Sequence, residues 1–129
     1  MSENASKSVE EIIKADGRYP IAAVHFVRQG LGYTVKKHHP NAGSDQERCH
    51  VTGEMLCHGL REMARQRWGL MAARVLASWN ISSTRDFGEI IFLLVENGWM
   101  KKEPRDCIED FDEVYDFSEA FSEGIFEEK

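Results

Sequence analysis

The chain has 129 residues, of which 42% are hydrophobic and 29% are charged, which is typical of one globular domain able to bury a sizeable core. Its 22 acidic side chains outnumber the 16 basic ones, and the net charge of −6 argues against a general binder of nucleic acid or of anionic membranes. No apolar run approaches the roughly 20 residues of a membrane helix, and three cysteines without an export signal predict a cytoplasmic protein without a disulfide framework.

Two helices are predicted near the start of the chain. Ser8 and Glu11 have the spacing of a capping box, in which each side chain binds the backbone N–H of the other residue, and the short helix that follows ends near Gly17. Pro20 suits the first position of a second helix, because no backbone donor is needed there. Apolar residues then recur at helical spacing, so we expect this helix to reach about Thr34.

A polar stretch over residues 38–51 predicts a long surface loop before the third helix. Thr52 is the predicted N-cap of that helix, which closes around Trp68 and Gly69. Its inward face is expected to consist of Leu56, Leu60, Met63 and Ala64. A fourth, shorter helix is predicted over residues 70–79, because apolar residues continue at helical spacing there.

The clearest helical pattern follows Ser83, a predicted N-cap with the carboxylate of Asp86 in the first turn. Its buried stripe is expected to consist of Phe87, Ile90, Ile91, Leu94 and Val95, before the helix ends at Gly98. Residues 99–102 form a predicted strand, and residues 110–117 either return as the second strand of a small β-hairpin or partly coil. This order predicts a mainly α fold, with a minor β component and a winged-helix-like C-terminal half.

We expect residues 8–121 to form one globular domain, between a flexible start, residues 1–7, and a flexible acidic tail, residues 122–129. Residues 1–84 carry 11 basic and 8 acidic side chains, whereas the last 27 residues carry 11 acidic and two basic ones. Aromatic residues interrupt this acidic stretch, and a disordered acidic tail lacks such residues. We therefore expect Phe111 to Phe121 to pack on the domain.

The helix that a winged-helix fold would place in DNA has the wrong charge for that role. Its exposed face is expected to carry three acids and one base, namely Arg85, Asp86, Glu89 and Glu96. A DNA-reading helix needs donors for base edges and phosphates, so DNA binding through this helix is disfavoured. Another protein is the expected partner, with no membrane association and no cofactor.

Histidines and cysteines crowd together in the predicted loop and in the helix after it. Structural zinc takes four nitrogen or sulfur ligands, supplied in pairs two to four residues apart. Here the members of each pair are adjacent in sequence, which matches no such frame, so no metal site is predicted. The alternative is a site in which a folded loop brings together His38, His39, Cys49 and His50. No catalytic residue is predicted.

Six residues are candidates for a binding site, namely His50, Arg61, Arg65, Thr84, Asp86 and Glu89. Arg61 and Arg65 share the outer face of the third helix with His58. Part of residues 106–119 is predicted to lie against this basic face, and the alternative is an external acidic partner. His50 either binds a ligand or anchors a loop carbonyl, and the residues around Asp86 either form a recognition spot or cap a helix.

Motifs that recur in order along residues 9–121 resemble those of a small uncharacterised protein family known mainly from planctomycetes and verrucomicrobia. They are Tyr19-Pro20 to Val27, Gly30-Leu31-Gly32-Tyr33-Thr34, His50-Val51-Thr52-Gly53-Glu54, Arg61-Glu62, Val75 to Trp79, Ser83-Thr84-Arg85-Asp86-Phe87-Gly88-Glu89-Ile90, and Asp110-Phe111-Asp112 to Tyr115-Asp116-Phe117. The resemblance implies no activity, cofactor or catalytic residue, because none has been assigned to that family. It directs attention to His50, Arg61, Thr84, Asp86 and Glu89.

The sequence predicts a non-enzymatic protein–protein interaction or regulatory module. The first alternative is a nucleic-acid binder that uses the basic face of residues 36–74. The second alternative is a metal-binding protein or metal-dependent enzyme built on the histidines and cysteines.

Overall fold

A computed structural model describes residues 8–38, 51–99 and 108–121 of the chain. These residues form six α-helices: α1 (Val9–Asp16), α2 (Ile21–His38), α3 (Gly53–Trp68), α4 (Ala72–Ser78), α5 (Thr84–Glu96) and α6 (Phe117–Ala120). Two 3-10 turns, Gly69–Met71 and Ile108–Phe111, lie between them. No helix in the described part of the chain has the length and apolar character needed to cross a membrane.

The predicted N-caps Ser8, Thr52 and Ser83 directly precede α1, α3 and α5. The Ser8 hydroxyl accepts from the Glu11 backbone N–H at 3.1 Å, and the Glu11 carboxylate accepts from the Ser8 N–H at 3.1 Å, so the capping box is confirmed. The Thr52 hydroxyl accepts from the N–H of Met55 at 3.1 Å at the start of α3. These contacts satisfy donors that have no partner within the first helical turn.

The predicted helix ends are also found where glycine permits a left-handed backbone. Gly17 follows α1 with φ 82°, and Gly98 follows α5 with φ 81°. After α5, the N–H of Gly98 binds the carbonyl of Val95, and the N–H of Trp99 binds that of Leu94, which is the Schellman arrangement.

Helix α2 packs on α3 along most of its length. Gly30 lies against Leu60, and Gly59 lies against Thr34, so closely in each case that an added Cβ would overlap the neighbouring side chain. α2 is one turn longer than predicted and reaches His38. In this extra turn Lys37 binds Glu62 of α3 at 2.7 Å, and Tyr33, one turn earlier, binds the same carboxylate at 2.8 Å.

The predicted β-hairpin and winged-helix-like half are wrong, because no strand occurs among the residues that the structure describes. Residues 110–117, the predicted second strand, begin in a 3-10 turn and continue through turns, with Glu113 at φ 51°, into α6. Of the predicted first strand, only Trp99 is described. For residues 110–117, these turns agree with the alternative prediction of partial coil.

We call residues 108–121 the C-terminal segment, and it packs across α3 and α5. Phe111 and Phe121 are 5% and 2% exposed, which confirms that this stretch packs on the domain. The Phe111 ring fits against Gly53 and Gly88, where an added Cβ would lie 3.0 and 2.6 Å from the ring. The predicted flexible ends, residues 1–7 and 122–129, and residues 39–50 of the predicted loop lie outside the described residues.

Candidate functional site

Asp86, a predicted binding residue, joins the start of α5 to the connection between α1 and α2. One carboxylate oxygen accepts from the Tyr19 hydroxyl at 2.7 Å. The other accepts from the backbone N–H groups of Ser82 and Ser83 at 2.8 and 3.1 Å. Burial and then the bond to Asp86 raise the pKa of Tyr19 above its ordinary value. Asp86 is therefore a helix cap and an internal anchor.

Glu89 is the centre of a chain of charges on the surface beside Asp86. It accepts from Arg18 at 3.0 Å and from Arg85 at 3.3 Å. Arg18 also binds Asp16 at 3.0 Å, and that bond lowers the pKa of the Asp16 carboxyl. Arg85 also binds Asp112 at 2.9 Å, which ties α5 to the C-terminal segment. Each of these charged side chains therefore has an oppositely charged partner within the chain.

Thr84, the third predicted binding residue of α5, is 0% exposed. Its hydroxyl donates to the carbonyl of Phe111 at 2.6 Å and accepts from the N–H of Val114 at 3.1 Å. Both hydrogen bonds fix the backbone of the C-terminal segment. Thr84 is therefore inaccessible to a ligand in this structure and fastens that segment to α5.

The basic face of α3 contacts the C-terminal segment, as predicted for part of residues 106–119. The Tyr115 hydroxyl donates to the carbonyl of Cys57 at 2.8 Å, and its ring lies 5.6 Å from that of His58. Arg61 donates to the carbonyl of Ala120 at 3.3 Å. Arg65, the next arginine of this face, is half-buried and also has a partner. The contacts of Tyr115 and Arg61 thus hold the segment to α3 by aromatic packing and by hydrogen bonds to or from backbone carbonyls.

The alternative metal site cannot be assembled from the part of the chain that the structure covers. His38 is exposed at the end of α2, while His39, Cys49 and His50 lie outside the described residues. The prediction that His50 belongs to a binding site therefore also falls outside the described residues. Within the described ranges no three histidine, cysteine or acidic side chains form a group that could hold a metal ion. Cys57 is buried, which raises the pKa of its thiol to about 12, so it is protonated at neutral pH.

A small cavity of about 260 Å³ lies between α1 and α5. Its lining includes two polar side chains, and each is already engaged, since Asp16 binds Arg18 and the Asn97 amide donates to the Leu93 carbonyl at 2.8 Å. Ligand pockets are commonly about 300–1,000 Å³ and keep convergent polar groups open. This cavity lacks both properties.

An apolar surface that the sequence prediction missed lies where α3 meets α4. Leu70 and Met71 are 48% and 51% exposed, and they are the exposed large hydrophobic residues of the described chain. They lie on the 3-10 turn, where the sequence pattern predicted helix. The turn begins at Gly69 with φ 55°, a conformation that favours glycine and breaks the helical register.

Aromatic residues support this turn from within. Phe26 of α2 is buried, and its ring lies 5.2 Å from Trp68 and 5.8 Å from Trp79. The two tryptophans meet edge to face at 5.6 Å and are half-buried. We call the six residues of this region the α3–α4 surface: Arg67, Trp68, Leu70, Met71, Arg74 and Trp79.

Comparison with protein-family models, curated proteins and solved structures gives no match. The resemblance to the uncharacterised family therefore stays a prediction. Function has to be inferred from the geometry of the chain itself.

Proposed function

We propose that this chain is a non-enzymatic protein–protein interaction module whose contact site is the α3–α4 surface. The observation that carries the proposal is the pair of exposed neighbours Leu70 and Met71, at 48% and 51% exposure, on a turn supported by packed tryptophans. Every other large hydrophobic side chain of the described residues is more deeply buried than these two.

Binding at this surface has a clear driving force. Complete burial of a leucine or methionine side chain is favourable by about 1.5–3 kcal/mol, so covering two half-exposed ones contributes about 1.5–3 kcal/mol together. Tryptophan, methionine and arginine are enriched at protein interfaces, and tryptophan and arginine also in their energetic centres. The rings of Phe26, Trp68 and Trp79 contact one another, which gives the turn a packed base that needs little ordering on binding.

The other predicted sites support this choice by being engaged within the chain. Thr84, Asp86 and Glu89 hold α5 to its neighbours through the contacts described above. On the basic face proposed for nucleic acid, the ammonium of Lys37 is paired with the carboxylate of Glu62. This ion pair reduces the positive charge available to phosphates, and the exposed apolar pair Leu70 and Met71 favours a protein partner over a nucleic acid.

The proposal is tested by capture from a native lysate with quantitative mass spectrometry. The bait is compared with the variant Leu70→Ser/Met71→Ser, after circular dichroism has shown that the variant is folded. Glu10→Ser/Lys14→Ser, at two exposed positions of α1, is the matched control. We expect a protein that the native chain and the control enrich equally and that the patch variant loses at least about tenfold. The same captured set with all three baits would contradict the proposal.

A further inference from the structure

We infer that the partner segment that fits the α3–α4 surface is acidic, with apolar side chains flanked by carboxylates. This inference rests on the proposed function and adds the chemistry of the partner. It depends on the charges around the exposed turn.

Arginines bracket the apolar turn on both sides. Arg67 precedes Leu70 by three residues, and Arg74 follows Met71 by three residues. Both arginines are exposed. The whole stretch from residue 63 to residue 85 contains four arginines and no acidic residue, in a chain whose net charge is −6. Of these four, Arg67 and Arg74 are the ones that flank the exposed Leu70 and Met71.

The two arginines have donors to offer. Within the described residues neither forms an ion pair, in contrast to Arg18 and Arg85. Arg67 donates one hydrogen bond to the Gln29 amide oxygen at 2.8 Å, and its guanidinium lies 5.8 Å from the centre of the Phe26 ring. A guanidinium has five N–H donors in a planar fork, so a held Arg67 can still bind a carboxylate in bidentate fashion.

The apolar turn distinguishes an acidic peptide from the other polyanions. A phosphate backbone offers no apolar group to cover Leu70 and Met71, whereas a peptide offers carboxylates and apolar side chains together. An anionic bilayer is an extended surface that meets the full negative charge of this chain. For a short segment the local arginines decide, because charges beyond about 8 Å are largely screened at physiological ionic strength.

The inference is tested with synthetic peptides and fluorescence anisotropy. The probe is a short blocked peptide in which leucine and phenylalanine are flanked by glutamates, and its partner peptide has lysine at each glutamate position. We expect saturable binding of the acidic peptide alone, weakened about tenfold or more by Arg67→Glu/Arg74→Glu and by about 1 M salt. Lys14→Glu/Lys36→Glu, at exposed sites on other helices, changes the net charge equally and should leave binding intact.

Arg74→Glu alone serves as a second variant, because Arg67 also contacts Gln29 and Phe26 and its loss could disturb the fold. This variant should bind the acidic peptide more weakly and the basic peptide more tightly. Equal binding of both peptides, or an unchanged affinity in the Arg74→Glu variant, would overturn the inference. So would tighter, arginine-dependent binding to phosphatidylserine vesicles or to duplex DNA.

Failure of this inference can be told apart from failure of the proposed function. The lysate capture is repeated with the bait Arg67→Glu/Arg74→Glu. If the partner is lost with Leu70→Ser/Met71→Ser and kept with the arginine variant, the interaction module stands and the acidic partner is refuted. If neither variant changes the captured set, both proposals fail.

Discussion

A single buried hydroxyl decides how the C-terminal segment joins the rest of the molecule. Thr84 is both a donor and an acceptor, and each of its bonds ends on the backbone of that segment. A buried hydroxyl with both capacities used is favourable, whereas the same backbone groups without it would be buried unpaired. The sequence marks Thr84 as a candidate site, and the structure places it at an internal joint.

Replacing Thr84 with valine therefore tests the joint with little change of shape. Thr84→Val leaves the Phe111 carbonyl and the Val114 N–H without partners, and we expect a loss of about 1–3 kcal/mol in the free energy of unfolding. Urea denaturation measures this loss, and faster hydrogen exchange at the Val114 amide would locate it.

The control is Thr84→Ser, which keeps the hydroxyl and removes only a methyl group. Its cost should be about 1 kcal/mol or less, and the Val114 amide should stay protected. A valine variant as stable as the native chain would show that the two hydrogen bonds contribute nothing to the joint.

At the scale of the elements, helices and turns pack closely where a glycine faces a neighbour that leaves no room for a side chain. At Gly88 of α5, an added Cβ would lie 2.6 to 2.9 Å from three atoms of Phe111. At Gly32 of α2, an added Cβ meets nothing within 4 Å. Both residues are helical, so the same substitution has opposite consequences at the two positions.

We expect Gly88→Ala to destabilise the protein and Gly32→Ala to stabilise it. In an open helical position alanine is better than glycine by about 1 kcal/mol. At Gly88 this gain is offset by overpacking of about 1–3 kcal/mol, because the Phe111 ring is also confined by Gly53. Thermal unfolding of both variants measures the difference, and a rise in Tm for Gly88→Ala would contradict the packing described here.

The elements that the sequence predicted well are those with local signals. α1, α3 and α5 each begin at a capping residue and bury one apolar stripe, so hydrogen bonds within a few residues fix their bounds. The C-terminal segment has no such signal. Its path is fixed by Gly53, Gly88 and Thr84, which are remote in sequence, so the sequence left residues 110–117 open between a second strand and partial coil, and the strand is wrong.

The candidate surface was missed for a related reason. Leu70 and Met71 share helical spacing with Val75, Leu76 and Trp79, so the pattern predicts them on the fourth helix. The chain instead forms a 3-10 turn over Gly69–Met71, which leaves both side chains exposed. The arginines on either side of the turn were visible in the sequence, but their meaning depends on that exposure.

At the scale of the whole molecule, the fold raises the pKa of all three of its tyrosines. Burial is the largest cause of the raised pKa of Tyr19 and of Tyr115, and the bond to Glu62 is the largest cause for Tyr33. Each hydroxyl donates to an oxygen on another element. Tyr19 donates to Asp86 of α5, Tyr115 to the carbonyl of Cys57 in α3, and Tyr33 to Glu62 of α3. The tyrosines thus link α2, α5 and the C-terminal segment to the rest of the chain. Each of these hydrogen bonds requires that the tyrosine hydroxyl stays protonated, because the hydroxyl is the donor.

This arrangement predicts a loss of stability at alkaline pH. In the unfolded chain the tyrosines ionise near pH 10, whereas in the folded chain they keep their protons to higher pH. Above pH 10 the folded state therefore binds more protons than the unfolded state, and the free energy of unfolding falls as pH rises through the folded pKa values. Below pH 10 this contribution is fully present.

Absorbance at 295 nm, which reports tyrosinate, separates the two states. In concentrated urea all three tyrosines should ionise with a midpoint near pH 10. In the native protein all three should ionise at higher pH, and the ionisation of Tyr19 and Tyr115, whose pKa values are raised chiefly by burial, should coincide with the loss of circular dichroism. Tyr115→Phe keeps the buried ring but removes one group that ionises at different pH in the folded and unfolded states. The free energy of unfolding of this variant should therefore fall less steeply above pH 10 than that of the native chain. Ionisation of all three tyrosines near pH 10 while the helical signal is intact would mean that their hydroxyls face solvent, and the contacts of Tyr19, Tyr33 and Tyr115 that join the elements would be absent in solution.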